Sequence, residues 1–172
     1  MIEVDYAHAM LLYGCVLAQK PARVLELGIG TGLCTRLIVS ALIHNHCGHL
    51  WAVDNWADWQ GREPDWIDSV RLSVVDIVND DEGSYVAACQ ANFFDLLVSD
   101  ADHNTSHRWH AHYRRIVRSD GFIFLHDTNN REYPAIKNTL SRWMELPHFH
   151  FVKSSRDDEQ CERGWLWVIN RK

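Results

Sequence analysis

Val24-Leu25-Glu26-Leu27-Gly28-Ile29-Gly30-Thr31-Gly32 is the stretch whose reading decides the fold. It reads as a short apolar strand with an acid near its end, then a glycine-rich turn leading into the apolar-periodic segment from Leu33 to Ile43. Glycines let the backbone turn through positive φ and let a ligand lie against main chain that any side chain would cover. The spacing here is G-x-G-x-G rather than G-x-G-x-x-G, and no lysine follows to make a phosphate-binding loop. Glu26, just before the first glycine, would accept hydrogen bonds from a cationic amine and would repel a pyrophosphate.

Outward from this turn, the pattern predicts alternating strands and helices. Ala22 to Leu27 is expected as the first strand and Thr31 to His44 as the helix whose N-terminus faces a ligand. Upstream, apolar residues recur at helical spacing from Asp5 to Gln19, with Pro21 ending the segment. Downstream, Gly48 to Val53 reads as a second strand with Asp54 at its carboxyl end. An acid there, about twenty residues after the glycines, is placed to hydrogen-bond ribose hydroxyls. Asn55 to Trp66 is a polar loop carrying Trp56, Trp59 and Trp66, which together suggest a wall or lid for a planar ligand. Arg71 to Val75 alternates like a third strand, although Asp65 to Val78 also allows a helix. Asn79 to Glu82 then forms a loop and cap, and Ser84 to Ala91 the next helix. Asp80 or Asp81 is a candidate for an adenine amino group, with helix-start acids as the plainer reading.

Phe93-Phe94-Asp95-Leu96-Leu97-Val98-Ser99-Asp100-Ala101-Asp102-His103 is the second informative stretch. An apolar strand ends in alternating carboxylates, so Asp100 and Asp102 share a side if the extended backbone persists. Two such carboxylates at a sheet edge call for a cationic companion, a metal or a sulfonium. Thr105 to Arg118 is expected as a helix stopped by Gly121, and Phe122 to Leu125 as a buried strand running into His126 and Asp127. A helix from Glu132 to Met144 follows, with Pro134 tolerated in its first turn. His148 to Lys153 and Gly164 to Ile169 close the sheet, joined by the charged loop Ser154 to Arg163.

Composition narrows the function. The 172 residues carry a formal charge of -6 and 47% hydrophobic residues, without a stripe of Lys or Arg. One domain spanning 1–172 and no nucleic-acid partner are the expectations. Five cysteines are scattered, odd in number and never in C-x-x-C spacing, which fits reduced thiols in a cytoplasmic protein. No apolar run is long enough to cross a bilayer. His103, His107, His110 and His112 are scattered on their helix without a cysteine pair, so a surface or acceptor-facing role is favoured over structural zinc.

Taken jointly, acidic-x-G-x-G-x-G, Asp54-Asn55-Trp56, Phe94 to His103 and Ser119 to Asp127 resemble the class I S-adenosylmethionine-dependent methyltransferases. They are close to methyltransferase family 24 and more distantly similar to catechol and macrocin-type O-methyltransferases. The resemblance implies a three-layer α/β sandwich, Rossmann-like, with a mostly parallel doubly wound sheet and an antiparallel terminal strand. It implies methyl transfer from S-adenosyl-L-methionine to a hydroxyl of a small-molecule acceptor. Glu26, Gly28, Ile29, Gly30, Asp54, Asn55, Asp81 and Asp100 would contact that cofactor. Asp102 would be the general base, with His103 as the second choice. Asp100, His126 and Asp127 would hold Mg²⁺ in the manner of metal-dependent relatives, although His126 stands where several of those have a carboxylate. Alternatives are a cofactor-binding or degenerate subunit that acts with a partner, and a nicotinamide-dependent oxidoreductase. A thin N-terminal cover leaves room for a pocket completed by a homo-oligomer.

Overall fold

Seven apolar segments pair into a single sheet in the computed structural model, which describes residues 3–57, 60–128, 134–155 and 158–172. They are β1 (Arg23–Leu27), β2 (His49–Asp54), β3 (Val75–Asn79), β4 (Phe94–Ser99), β5 (Val117–Leu125), β6 (His148–Ser155) and β7 (Asp158–Asn170). The order across the sheet is β3-β2-β1-β4-β5-β7-β6. The first five strands run parallel, and β7 pairs antiparallel with both β5 and β6. This is the mostly parallel, doubly wound sheet with a reversed last strand that the sequence predicts. Among the described residues, no helix is long and apolar enough to cross a membrane.

Parallel strands are covered on both faces, so their residues alternate between two apolar layers. Val24, Leu50, Leu96, Val98 and Phe124 pack with Leu12 and Val16 of α1 (Glu3–Gln19) and with Ile38 and Leu42 of α2 (Leu33–Asn45). On the other face, Leu25, Leu27, Leu97, Ile123 and Leu125 meet three helices. These are α3 (Glu82–Ala88) through Val86, α4 (His110–Ile116) through Tyr113 and Ile116, and α5 (Pro134–Trp143) through Leu140 and Trp143. Each buried Leu contributes roughly 1.5–3 kcal/mol relative to exposure. Alternation also places Glu26 on the Val24 side, beneath α2 and fully buried.

Asp95 ties the amino-terminal ends of three strands, accepting from the Arg23 amide at 2.8 Å and from Arg118 Nε at 2.7 Å. The opposite, carboxyl edge is thereby left to loops.

Several boundaries differ from the sequence reading. The third strand begins at Val75 rather than Arg71, because pairing with β2 sets its register from Leu50↔Val75 to Asp54↔Asn79. Asp65–Val70 is a short 3-10 helix ahead of it. The expected helix Thr105 to Arg118 is divided into a 3-10 turn at Ser106–Arg108 and α4, and the chain is already extended at Val117. Its end is set from afar: the Asn170 amide donates to the carbonyls of Arg114, Val117 and Arg118. The charged segment after Lys153 is mostly strand, with Ser155 opposite Asp158. Of the loop tryptophans, Trp56 is wholly inside the first core, Trp66 packs on the glycine turn, and Trp59 lies outside the described residues. Neither described ring lines the cavity discussed below, so the expected aromatic wall does not form from them.

Candidate active site

The glycine turn takes its shape from three left-handed residues, Gly28, Gly30 and Gly32, with φ of 86°, 52° and 74°. Each is bare for its own reason. A Cβ on Gly28 would stand 2.7 Å from the Ala101 Cα and collide with the Asp100 carbonyl, so β1 and β4 can converge here only over glycine. A Cβ on Gly32 would enter the Trp66 ring, over which Arg36 lies at 4.7 Å. Gly30 meets nothing within 4 Å, and its bare face opens to a cavity.

Asp54, at the end of β2, holds the turn in this form. Its Oδ2 accepts from the Ile29 amide at 2.8 Å and the Gly30 amide at 3.1 Å, while Oδ1 accepts from the Trp56 amide at 2.7 Å.

The cavity encloses about 360 Å³, within the range of small-ligand sites. Gly28 and Gly30 form one wall, and Val53, Asp54, Asn55 and Ala57 a second. Asp80 and Glu82 approach from the β3 side, and Asp100 to Asn104 from the end of β4. Five acidic residues thus line one space with His103 and, among the described lining residues, without any Lys or Arg. Such a lining selects a cationic ligand.

Two acids respond to this crowding, one beneath the cavity and one of the five that line it. Glu26 lies below the turn, with neither carboxylate oxygen hydrogen-bonded among the described residues. Burial pushes its pKa to about 8, the charges of Asp100 and Asp54 add to that, and the nearby Thr35 hydroxyl and amide pull the other way without closing a well-formed bond. Glu82 is likewise pushed to about 8, by burial and then by Asp102 and Asp81.

At the other end, β4 and β5 bring four titratable side chains together. His126 Nδ1 lies 2.7 Å from Asp100 Oδ1, and His103 Nε2 lies 3.2 Å from Asp127 Oδ2 and 3.6 Å from Asp100 Oδ1. Donor atoms of Asp100, His103 and His126 all fall within 4.8 Å of one another. Asp127 is buried and has φ of 52°, a conformation that costs a non-glycine residue about 1 kcal/mol or more and is concentrated at functional sites. Behind them, His8 of α1 reaches His126 Nε2 at 3.4 Å and stacks on Trp165.

The residues singled out from sequence therefore divide. Gly28, Gly30, Asp54, Asn55, Asp100, Asp102 and His103 line the cavity. Ile29 turns its side chain into the core and offers its amide to Asp54. Asp81 does not line the cavity: it caps α3 through the Ser84 amide at 3.0 Å, and the Ser84 hydroxyl first, then that amide, hold its carboxyl below the usual range. Asp102 accepts from the Asn104 amide at 3.0 Å and the Thr105 hydroxyl at 2.9 Å, and these bonds outweigh its burial to lower its pKa. On α4, His110 accepts from Trp143 Nε1 at 2.8 Å and is held neutral by burial, with a pKa of about 4. Two residues were missed. Glu82 looked like an ordinary helix-start acid, and nothing local to His8 marks it as reaching the site.

Residues 25–128, well over half of the chain, match the family model of methyltransferase family 24, described as a methyltransferase domain. The chain belongs to this methyltransferase family. No curated protein matches it significantly in sequence. Its fold is shared with the O-methyltransferase TomG from Streptomyces achromogenes, solved in complex with S-adenosylmethionine, at 10% identity and a TM-score of 0.73. That match covers 96% of this chain and 80% of TomG. An O-methyltransferase from Bacillus cereus in complex with S-adenosylhomocysteine matches at 15% identity and a TM-score of 0.70, over 95% of this chain and 80% of the other. Spermidine synthase from Thermotoga maritima matches at 14% identity and a TM-score of 0.71, over 96% of this chain and 60% of the other. Membership of the methyltransferase family sets aside the nicotinamide-dependent alternative.

Proposed function

We propose that this methyltransferase transfers the methyl group of S-adenosyl-L-methionine to a hydroxyl of a small-molecule acceptor. The observation that carries the reading is His103, which lines the cavity opposite the glycine turn with Nε2 beside Asp127 and Asp100.

S-adenosylmethionine suits the residues present. A buried acid with neither oxygen in a well-formed hydrogen bond lies under the turn, Gly30 leaves bare backbone facing the cavity, and five acidic residues line a space without Lys or Arg among the described residues. When bound, the cofactor supplies an electrophilic methyl on a sulfonium whose charge these acids favour. Glu26 is the candidate acceptor for its ammonium group, Asp54 for its ribose. Asp100 lies between the turn and the His103 cluster, on the path from cofactor to acceptor.

Mg²⁺ does not suit the cluster. This ion takes oxygen ligands in a near-octahedral shell, whereas two of the three converging donors here are imidazole nitrogens. We therefore assign activation of the acceptor to the side chains themselves. His103 takes the hydroxyl proton as the oxygen attacks, and Asp127, beside Nε2, stabilises the imidazolium that forms. Asp102, whose oxygens are both engaged and whose pKa is lowered, is the weaker base.

Incubating the purified protein with methyl-labelled S-adenosylmethionine and a panel of small hydroxylated acceptors, then scanning for products heavier by one methyl group, tests this directly. Labelled methyl on oxygen supports the reading. Transfer to nitrogen or carbon only, or cofactor binding without turnover on any acceptor, would count against it and favour the partner-dependent subunit.

A further inference from the structure

From Tyr6 to Gln19 the first helix carries no Asp, Glu, Lys or Arg, although only one of its faces is buried. That face runs through Ala9, Leu12, Cys15 and Val16. A helix covered on one side ordinarily sets charges on the other. Here a second apolar stripe, Tyr6, Met10, Tyr13 and Leu17, lies about 120° round the helix from the first. Tyr6 is 53% exposed and Met10 42%, with Tyr13 and Leu17 half-buried.

We propose that this stripe is the seam of a homodimer in which α1 packs antiparallel on α1 of a second copy.

The occupant follows from spacing and charge. Steps of four, three and four residues are those of alternating a and d positions in a coiled-coil heptad, and Glu3 and Lys20 continue the series at its two ends. Antiparallel pairing about the middle of the stripe sets Tyr6 opposite the partner's Leu17, Met10 opposite the partner's Tyr13 and Glu3 opposite the partner's Lys20. Each a position then meets a d position, and each acidic end meets a basic one. Parallel pairing would instead oppose like charges at both ends and align the two helix dipoles. An anionic lipid surface is a poorer occupant, because the stripe has no Lys or Arg along it and the chain carries a formal charge of -6. Gly14, one turn from Met10, has nothing within 4 Å of where its Cβ would stand. Glycine inside a helix costs about 1 kcal/mol relative to alanine, and no contact within the chain calls for it here; beside the seam it lets a second backbone approach closely. A helix of 17 residues is about 25 Å long, so the seam is at the small end of specific interfaces and a dissociation constant in the micromolar range is expected.

Sedimentation of the full chain from about 1 to about 100 µM tests the seam and its register. The mass of wild type should rise with concentration from the 20.0 kDa of one chain towards twice that value. Met10→Glu should weaken self-association about thirtyfold or more, because each dimer would bury two carboxylates. Glu3→Lys and Lys20→Glu should each weaken it about threefold to tenfold, and the two together should return it to within about threefold of wild type, since the end charges are then exchanged without being separated. Phe149→Glu, at an exposed apolar residue of β6 away from the stripe, should leave association unchanged. Melting curves at the lowest concentration, expected to match wild type for every variant, separate loss of association from loss of fold. Wild type remaining at 20.0 kDa throughout, Met10→Glu associating as tightly as wild type, or association lost in Phe149→Glu would overturn the seam. A double charge exchange no tighter than either single one would overturn the antiparallel register.

Discussion

The main chain of Asp100 passes so close over Gly28 that even one methyl group at position 28 would overlap its carbonyl. The first glycine of the turn is thus required by strand packing, whereas Gly30 faces open space. Gly28→Ala is expected to lower thermal stability by about 2–4 kcal/mol from overlap and left-handed strain together. Gly30→Ala should cost about 1–2 kcal/mol, from strain alone, while weakening S-adenosylhomocysteine binding at least tenfold. Melting curves and calorimetry on the two variants check this separation; equal loss of stability would show that the open face of Gly30 has been misread.

Glu26 couples the turn to pH. Its folded pKa of about 8 lies above the ordinary 4.5, so the native state holds a proton that the unfolded chain has released. Stability should therefore fall as pH rises from about 4.5 to about 8 and level off above. Glu26→Gln should remove its own share of that dependence, leaving the share Glu82 gives over the same range, and raise the ligand-free Tm at pH 8 by roughly 4–8 °C, about 2 kcal/mol for a chain of this size, since the buried amide is also left unpaired. The same variant should bind S-adenosylhomocysteine about tenfold or more weakly. A pH-independent wild-type Tm would contradict the burial of an unpaired acid.

Asp54 serves three backbone amides at once. Asp54→Ala should cost about 2–4 kcal/mol in stability and, because the turn loses its brace, abolish measurable cofactor binding. Asp54→Asn can still accept at one oxygen and should fall between wild type and alanine in both measurements.

Methyl transfer separates the candidate bases. His103→Ala should lower kcat by ~10²–10⁴-fold with S-adenosylhomocysteine affinity near wild type. Asp102→Asn, which loses mainly its bonds within the loop, should stay within about tenfold of wild-type kcat. Adding Mg²⁺ after chelation should leave turnover unchanged. The reverse order for the two substitutions would move the proton to Asp102.

The β1–α2–β2 unit was legible because its signals are local: an apolar run, glycines where φ is positive, and an acid at the next strand end. The carboxylates and imidazoles at the ends of β4 and β5 were legible for the same reason, each standing where an apolar strand stops. The early end of α4 was not, since Asn170, more than fifty residues away, supplies the amide that caps the helix. The start of β3 escaped too, because Arg71 to Val75 alternates as well as any strand and only pairing with β2 chooses between registers. Asp81 and Glu82 differ in a way that sequence does not carry: one side chain folds back onto its own helix, and its neighbour lines the cavity with its carboxyl oxygens buried.

His8 ties the first helix to the cluster at the ends of β4 and β5. Through its contact with His126 and its stacking on Trp165, α1 reaches the back of the very ring that Asp100 holds from the front. A deletion or fusion intended only to trim the amino end, if it disturbs α1, is expected to shift His126 and with it the Asp100 carboxylate. Engineering of this enzyme should therefore begin at surface loops and leave its first helix whole.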